Sequence, residues 1–171
     1  MYYPSAYFLA KNLVELPATF LAPMAQLLVM YWGIQYTDFF TLYLILVIMA
    51  NTSVGIGLLI SSLCPDVTSS TSIAPLFTMP MILFGGFIAN NESVPAWLNW
   101  IQYISPVRYA NEAIAHTQFD SITGEPYVTK YMETEGFTIG LWKCVALLVT
   151  LAVFWRILSL VVLKLKINKF Q

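Results

Sequence analysis

The sequence predicts an all-α fold: a polytopic membrane helix bundle with four transmembrane helices, a re-entrant helical segment and a small extracellular loop region. The first observation is composition, because the 171 residues are 58% hydrophobic and only 10% charged, against about 25% charged in an ordinary soluble domain. The second is that long apolar gaps separate the charged residues. A net charge of −1 gives no sign of nucleic-acid binding, and lipid must be the solvent for much of the surface.

Three spans are predicted from gaps that contain no charged residue. Each gap is longer than the about 20 apolar residues that a helix needs to cross the hydrocarbon core. The residues that bound these gaps are Glu15, Asp38, Asp66 and Glu92. Together with a fourth apolar run, the gaps place the spans at about 16–36, 39–62, 68–89 and 141–163.

The first and fourth spans contain proline and charged residues that need a separate interpretation. We expect the first span to start near Pro17 and to kink near Pro23, since proline is tolerated in the first helical turn and bends a helix interior. In the fourth span Lys143 suits the interface. The long side chain of Arg156 is expected to reach toward the nearer membrane face.

The second span carries small and polar residues in its middle, Asn51-Thr52-Ser53 and then Gly55-Ile56-Gly57. Small residues let helices approach closely, and hydroxyl groups bond across helices. The same residues would also suit a face that lines a polar cavity, but we favour close helix packing. In the third span, Pro75 and Pro80 indicate a bent or mobile helix.

Four spans place both termini on one side of the membrane. The flanks on that side carry slightly more basic residues than the opposite side, and an excess of basic residues marks the cytoplasmic side. These basic residues are Lys11, Lys164, Lys166 and Lys169. We therefore expect a multi-pass protein of the plasma membrane or of an internal membrane, with both termini cytosolic and the segment 90–140 outside.

The segment 90–140 differs in kind from the shorter connections. Pro95 suits a helix start, and the apolar stretch after it is too short to span the membrane. Trp97, Trp100 and Tyr103 recur at a spacing of three, so one helical face presents aromatic rings at the level of the lipid headgroups. We therefore predict a re-entrant or interfacial helical segment, followed by a small polar lobe.

Two further features of this outer segment concern polar residues. Pro106 is well placed to start a helix, in which Arg108 and Glu112 would pair one turn apart. Each charge of such a pair lowers the energetic cost of placing the other near the membrane boundary, so we interpret the pair as structural. Asn91 begins a glycosylation motif on the side that is predicted to face out, although it lies very close to the end of the third span.

No residue pattern indicates catalysis or metal binding. His116 is the single histidine, and no cluster of cysteine or aspartate surrounds it at the spacing of metal ligands. The second and third spans hold no charged residue, which argues against intramembrane acid–base chemistry. Cys64 and Cys144 are too few for a disulfide framework. We therefore predict no catalytic residues, no metal site and no enzymatic activity for the chain itself.

Several stretches resemble a signature of one transporter family. They are Tyr7–Lys11, Phe84–Phe87, Tyr103–Tyr109 and Phe154–Lys164, with Asn90, Pro95, Trp97, Trp100, Glu112 and Ala113. The resemblance is to the G subfamily of ATP-binding-cassette transporters, of the White and breast-cancer-resistance-protein type. It covers essentially the whole chain, and the run from Phe84 to Ala113 is its most specific part.

The resemblance implies that residues 1–171 are the C-terminal part of a transmembrane (permease) domain. In that family a half-transporter has an N-terminal nucleotide-binding domain followed by six membrane helices, and it works as a dimer. This chain would supply helices three to six. Since its sequence contains no Gly-x-x-x-x-Gly-Lys-Ser/Thr motif, it is expected to be a fragment, with ATP and Mg²⁺ used by the missing nucleotide-binding domain.

The resemblance also implies an export function and its site residues. The expected substrate is hydrophobic or amphipathic (a lipid, sterol or xenobiotic), and the expected partner is a second half-transporter, identical or different. Phe87 and Ile88 match a hydrophobic plug between the substrate cavity and the outer exit, where the family usually has leucines. Met79 and Ile82 match cavity-lining positions, and the charged pair described above matches the family's re-entrant region.

Three alternatives remain open from the residues alone. A four-span scaffold or interaction protein of tetraspanin type fits the topology, but its outer loop should be held by cysteines and 90–140 contains none. An intramembrane enzyme is disfavoured by the uncharged spans. A channel subunit that does not use ATP is compatible with the same physical features.

Overall fold

The computed structural model describes residues 4–34, 38–87, 99–119, 137 and 139–169. These residues form α-helices and one π-helical turn, and they contain no β-strand, which confirms the all-α fold class. The elements in chain order are α1 (Pro4–Ile34), α2 (Phe39–Leu63), α3 (Val67–Ile82), a π-helical turn (Leu83–Phe87), α4 (Asn99–Ile104), α5 (Pro106–Phe119) and α6 (Leu141–Lys169).

Four of these helices are long and apolar enough to cross a membrane. The apolar stretches are Ala6–Gly33, Phe39–Leu63, Val67–Gly85 and Leu141–Lys166. A helix of about 20 residues spans the hydrocarbon core, so each of the four has sufficient length. The chain is therefore a multi-pass membrane protein with a helical bundle.

The first helix begins well before the predicted span and runs through both prolines. The predicted span started at residue 16, near Pro17, whereas α1 begins at Pro4 and contains Pro17 and Pro23 in its interior. The gap between charges marks only the part of a helix that lipid can surround, while backbone hydrogen bonding continues through charged residues toward water. For the same reason α6 continues past residue 163, to Lys169.

The third span changes its helical geometry before its predicted end. Regular α-helix stops at Ile82, and the π-helical turn follows as far as Phe87. Pro75 and Pro80 lie inside α3, where each removes a backbone donor, and wider turns of this kind often occur where the regular hydrogen-bond ladder is interrupted. Residues 88 and 89 of the predicted span lie outside the described residues.

Helix α2 is the centre of the bundle, with α1, α5 and α6 packed around it. The buried cluster toward its N-terminal end joins α2, α5 and α6 through Ile45, Tyr109, Ala110, Ala113, Cys144 and Leu148. A second cluster toward its C-terminal end joins α2, α3 and α6 through Ile56, Leu59, Ile60, Cys64, Met81 and Trp155. Helix α5, which is too short to span, therefore packs between two membrane-crossing helices.

The small residues of α2 differ in whether they pack against α6. A Cβ atom added at Gly55 would lie 3.2 Å from Cβ of Trp155, whereas one added at Gly57 would have nothing within 4 Å. Thr52 is buried and donates to the carbonyl of Ile48 at 2.8 Å, with the carbonyl of Leu148 at 3.5 Å. Close packing against α6 is thus correct for Gly55 and Thr52, and wrong for Gly57.

Candidate functional site

The segment α4–α5 is hydrogen-bonded to the C-terminal end of α3 and to the π-helical turn. The hydroxyl of Ser105 donates to the carbonyl oxygen of Met81 at 2.8 Å, and the side-chain amide of Asn111 donates to the carbonyl oxygen of Gly85 at 3.3 Å. Both acceptors are backbone groups in or beside the π-helical turn, where the regular ladder leaves carbonyl groups available. The position of this turn is therefore set by α5 as well as by α3.

Gly85 allows the closest approach between the π-helical turn and α5. A Cβ atom at this position would lie 2.8 Å from Cγ1 of Val107 and 3.0 Å from its Cβ. These separations are shorter than van der Waals contact, so no larger residue fits without a shift of backbone. Gly85, the first of the two glycines in the Phe84–Phe87 stretch, is thus required by the packing between the π-helical turn and α5.

The residues that match the hydrophobic plug are only partly described. Phe87 is the last residue of the π-helical turn. Ile88 and the glycosylation motif at Asn91 lie outside the described residues. The assignment of Phe87 and Ile88 to a plug remains a prediction.

The residues that match the substrate cavity lie on a helix that its own chain leaves largely uncovered. Met79 is 63% exposed and Ile82 is 47% exposed, although both are apolar. Ile82 also lines a cavity of about 240 Å³ between α2, α3 and the start of α5, together with Ile56, Gly57 and Val107. Exposed apolar side chains of a membrane protein can face lipid, another chain or an apolar passage.

Polar groups on the cavity wall are already satisfied by the helices that carry them. The hydroxyl of Ser53 donates to the carbonyl of Met49 at 3.0 Å, and that of Thr78 donates to the carbonyl of Ala74 at 3.1 Å. These hydroxyls need no ligand to complete their hydrogen bonding. The cavity therefore offers a predominantly apolar surface.

The charged pair of α5 lies one turn apart, and each member has its own partner. A guanidinium N–H of Arg108 donates to Oε1 of Gln102 at 2.9 Å, with the guanidinium 5.4 Å from the centre of the Tyr103 ring. Oε1 of the fully buried Glu112 accepts from the backbone N–H of Ile139 at 2.6 Å. Arg108 thus fixes α5 to α4, and Glu112 fixes α5 to the residues that precede α6.

A buried tyrosine completes the contact between α4 and α5. The hydroxyl of Tyr109 donates to the carbonyl oxygen of Tyr103 at 3.1 Å. Burial raises the pKa of Tyr109 above its usual value of 10, so the hydroxyl remains a neutral donor at physiological pH.

Sequence reasoning did not identify the anchoring roles of Gln102, Ser105 and Asn111. These residues are polar within a largely apolar stretch, which is the only signal that could have marked them, since polar groups near lipid need partners.

The sequence-based expectation for Arg156 was wrong. Instead of reaching the membrane face, its guanidinium donates to Oδ1 of Asn51 on α2, because a partner within the bundle satisfies the charge there.

The site as a whole combines an uncovered apolar helix, α3, with a π-helical turn that is packed against and hydrogen-bonded to α5. Among the residues that the structure describes, no group of three or more His, Cys, Asp or Glu could hold a metal ion. Ser105, Tyr109 and Asn111 donate to backbone carbonyl oxygens, and Arg108 donates to Gln102. This arrangement suits an apolar passage that is held in place at the C-terminal end of α3.

The chain is similar in sequence to a known protein family and to several known proteins. A family profile described as "ABC-2 type transporter" matches residues 1–119. The chain is 34% identical to "ABC transporter G family member 1" of Dictyostelium discoideum over 96% of its own length and 24% of that protein. It is 34% identical to "Protein white" of Ceratitis capitata over 71% of its length and 19% of that protein. The chain thus spans about a quarter or less of these relatives.

Proposed function

This chain belongs to the ABC-2 type transporter family, in the group of G-family and White proteins, and we propose that it forms half of a dimeric export pathway for a hydrophobic or amphipathic substrate. The observation that carries the proposal is the apolar, largely uncovered face of α3 whose outer end is fixed by α5. A second half-transporter, identical or different, would face α3 across the pathway.

The proposed pathway is apolar along α3 and narrows at the π-helical turn. Met79 and Ile82 expose apolar side chains that a lipid, sterol or xenobiotic can contact without loss of hydrogen bonds. Phe87 and Ile88 would form the constriction at the outer end, where apolar side chains exclude water and block ions. Because Ser105 and Asn111 hold the turn, a change in the tilt of α3 would also move α5.

The inner end of the bundle supplies a contact for a motor domain. Nζ of Lys166 donates to the carbonyl oxygens of Ser62 at 3.0 Å and Cys64 at 2.7 Å, so α6 is tied to the connection Cys64–Asp66. We propose that this connection, together with Lys11, meets a cytosolic nucleotide-binding domain of the parent protein. ATP and Mg²⁺ would bind to that domain, since the sequence of this chain contains no phosphate-binding loop.

The remaining parts of the proposal follow from the same assignment. Both termini would lie in the cytosol, and the segment 90–140 would face outward from a plasma membrane or an internal membrane. The family membership favours a transporter over the scaffold, the channel subunit and the intramembrane enzyme considered from the sequence. The purified chain is expected to hydrolyse no ATP.

The direct test is the gene upstream of the codon for Met1. The extended reading frame is expected to encode two further apolar spans and a Gly-x-x-x-x-Gly-Lys-Ser/Thr loop. In proteoliposomes that contain the extended protein, Ile82→Arg should abolish substrate export, because a charge on the pathway wall opposes an apolar substrate. The control Val153→Arg, on an exposed position of α6, tests for general loss of insertion. A frame with neither spans nor loop, or unchanged export in Ile82→Arg, would contradict the proposal.

A further inference from the structure

Four prolines lie inside helices of the described part of the chain, and each leaves one backbone carbonyl without its helical donor. They are Pro17 and Pro23 in α1 and Pro75 and Pro80 in α3. Proline has no N–H group, so the carbonyl oxygen four residues before it loses the hydrogen bond that the helix would supply. Such a carbonyl is energetically costly wherever neither water nor another protein group replaces the donor. The surroundings of the four carbonyls therefore decide which of them favours a ligand.

Three of the four carbonyls lie where a substitute for the helical donor is within reach. Leu13 lies among the charged residues near the start of α1, where water can approach the helix. Thr19 is buried together with the proline that follows it, so protein encloses its carbonyl. Thr71 is four residues from the start of the span Val67–Gly85, which is about 6 Å at 1.5 Å per residue and so close to the membrane surface. None of these three combines an open position with the middle of the membrane.

The carbonyl of Leu76, four residues before Pro80, lies at the middle of its span. Leu76 is nine residues from each end of Val67–Gly85, which is about 14 Å at 1.5 Å per residue, and the hydrocarbon core is about 30 Å thick. Neither water nor a lipid head group satisfies backbone groups at that depth. The hydroxyl of Thr78 donates instead to the carbonyl of Ala74 at 3.1 Å. Among the residues that the structure describes, the Leu76 carbonyl therefore has neither its regular helical donor nor a side-chain donor.

The face of α3 that carries this carbonyl is open. Positions i, i+3, i+4 and i+7 share one side of a helix, and here they are Leu76, Met79, Pro80 and Leu83. Leu76 is 73% exposed, Met79 and Leu83 are also exposed, and the proline is partly buried. Contact with a proline ring tilts the carbonyl four residues earlier away from the helix axis. An apolar face at the middle of the membrane thus presents one backbone acceptor.

We propose that the carbonyl oxygen of Leu76 accepts a hydrogen bond from an apolar ligand that carries a single donor, a hydroxyl or an amide N–H. The donor of such a ligand needs an acceptor in hydrocarbon as much as this carbonyl needs a donor, so the contact satisfies two groups at once. The apolar body of the ligand contacts Met79 and Leu83. Since Met79 belongs to the proposed export pathway, the identification of the ligand as the exported substrate rests on the proposed function, and it narrows the substrate class to molecules with a donor.

The test is solid-state NMR of the full chain in phosphatidylcholine liposomes, with leucine labelled by ¹³C at the carbonyl and phenylalanine labelled by ¹⁵N. The sequence has leucine followed by phenylalanine at two places only, Leu76-Phe77 and Leu83-Phe84, so the ¹³C–¹⁵N correlation spectrum selects two carbonyls. The probes are a sixteen-carbon secondary alcohol with its hydroxyl at mid-chain and the methyl ether of the same alcohol. The alcohol is expected to move the Leu76 carbonyl signal downfield, as a new hydrogen bond does, and the ether is expected to leave it unchanged. The Leu83 signal is the internal reference.

Two matched proline variants sharpen the test. Pro80→Ala restores the N–H donor to Leu76, so its carbonyl signal should begin downfield and no longer respond to the alcohol. Pro75→Ala makes the same change nearer the start of α3 and should leave the response intact. Both variants remove a helix-breaking residue, so the helix is retained. The proposal would be overturned by equal responses to alcohol and ether, by an unchanged response in Pro80→Ala, or by a signal that is already downfield before the alcohol is added.

The binding site and the proposed function can fail separately, because the NMR measurement does not depend on export. An extended reading frame without further spans or a phosphate-binding loop would refute the proposed function, while a response of Leu76 to the alcohol alone would still support the site. An unresponsive Leu76 signal in a protein that exports would refute the site and leave the proposed function standing. In proteoliposomes with the extended protein, the alcohol should be exported about fivefold faster than the ether, and Pro80→Ala should make the two rates equal.

Discussion

Two glycines on one helix provide a direct test of how α2 packs against α6. At Gly55 an added methyl group would lie 3.2 Å from Cβ of Trp155 and 3.5 Å from Cγ of Arg156. Because Cβ of Trp155 is attached to the backbone, a rotamer change cannot relieve the contact. Overpacking of this kind costs about 1–3 kcal/mol. At Gly57 the space is open within 4 Å, so no such cost arises.

The expected change in stability has opposite signs at the two positions. Replacing a helical glycine by alanine stabilises a helix by about 0.5–1 kcal/mol through backbone entropy. Gly57→Ala should therefore raise the free energy of unfolding by about that amount. Gly55→Ala should lower it by as much as about 2 kcal/mol, once the same gain is subtracted from the overpacking cost.

The measurement is reversible unfolding of the chain in mixed micelles, with SDS as the denaturant and circular dichroism as the readout. Gly57→Ala serves as the internal control, since it makes the same chemical change two residues away on the same helix. The two variants should differ by about 1–3 kcal/mol. If they unfold at the same SDS fraction, α2 and α6 do not approach each other at Gly55 as described.

Three further predictions concern the contacts that fix the ends of the helices. Lys166→Met should lower stability by about 1–3 kcal/mol, because carbonyls at the end of α2 lose a charged donor, and faster hydrogen exchange in that turn should report it. Glu112→Ala should destabilise the chain by about 1–3 kcal/mol, since the amide of Ile139 then lacks an acceptor; Glu112→Gln should cost less, and equal melting of the two variants would contradict the contact. Gly85→Ala should destabilise the π-helical turn by about 1–3 kcal/mol, and Val107→Ala in the same chain should recover most of that loss, as a double-mutant cycle would measure.

The spans could be predicted from the sequence because lipid penalises charge so strongly. The gaps that end at Asp38 and Asp66 therefore coincide with the connections between α1, α2 and α3. Helix ends are different, since a backbone that leaves the lipid keeps its hydrogen bonds until water or a breaker competes for them. For this reason α1 extends past the charged residues Lys11 and Glu15 toward the N-terminus.

The hydrogen-bond partners of the polar side chains were harder to predict from the sequence than the positions of the helices. Pro106 correctly predicted the start of α5, because a proline favours the first helical turn wherever it occurs. The pairing of Arg108 with Gln102, and of Glu112 with Ile139, depends on which segments meet in space. The spacing of residues along one helix predicts only the neighbours within that helix.

The contact between Glu112 and Ile139 also affects how changes in the length of the segment between α5 and α6 should be tolerated. It joins residues 27 positions apart and so holds the residues before α6 directly against α5. Lengthening a loop whose ends are already held costs only about 0.6 kcal/mol for each doubling. Insertions between residues 120 and 136 are therefore expected to leave the contact between Glu112 and Ile139 intact.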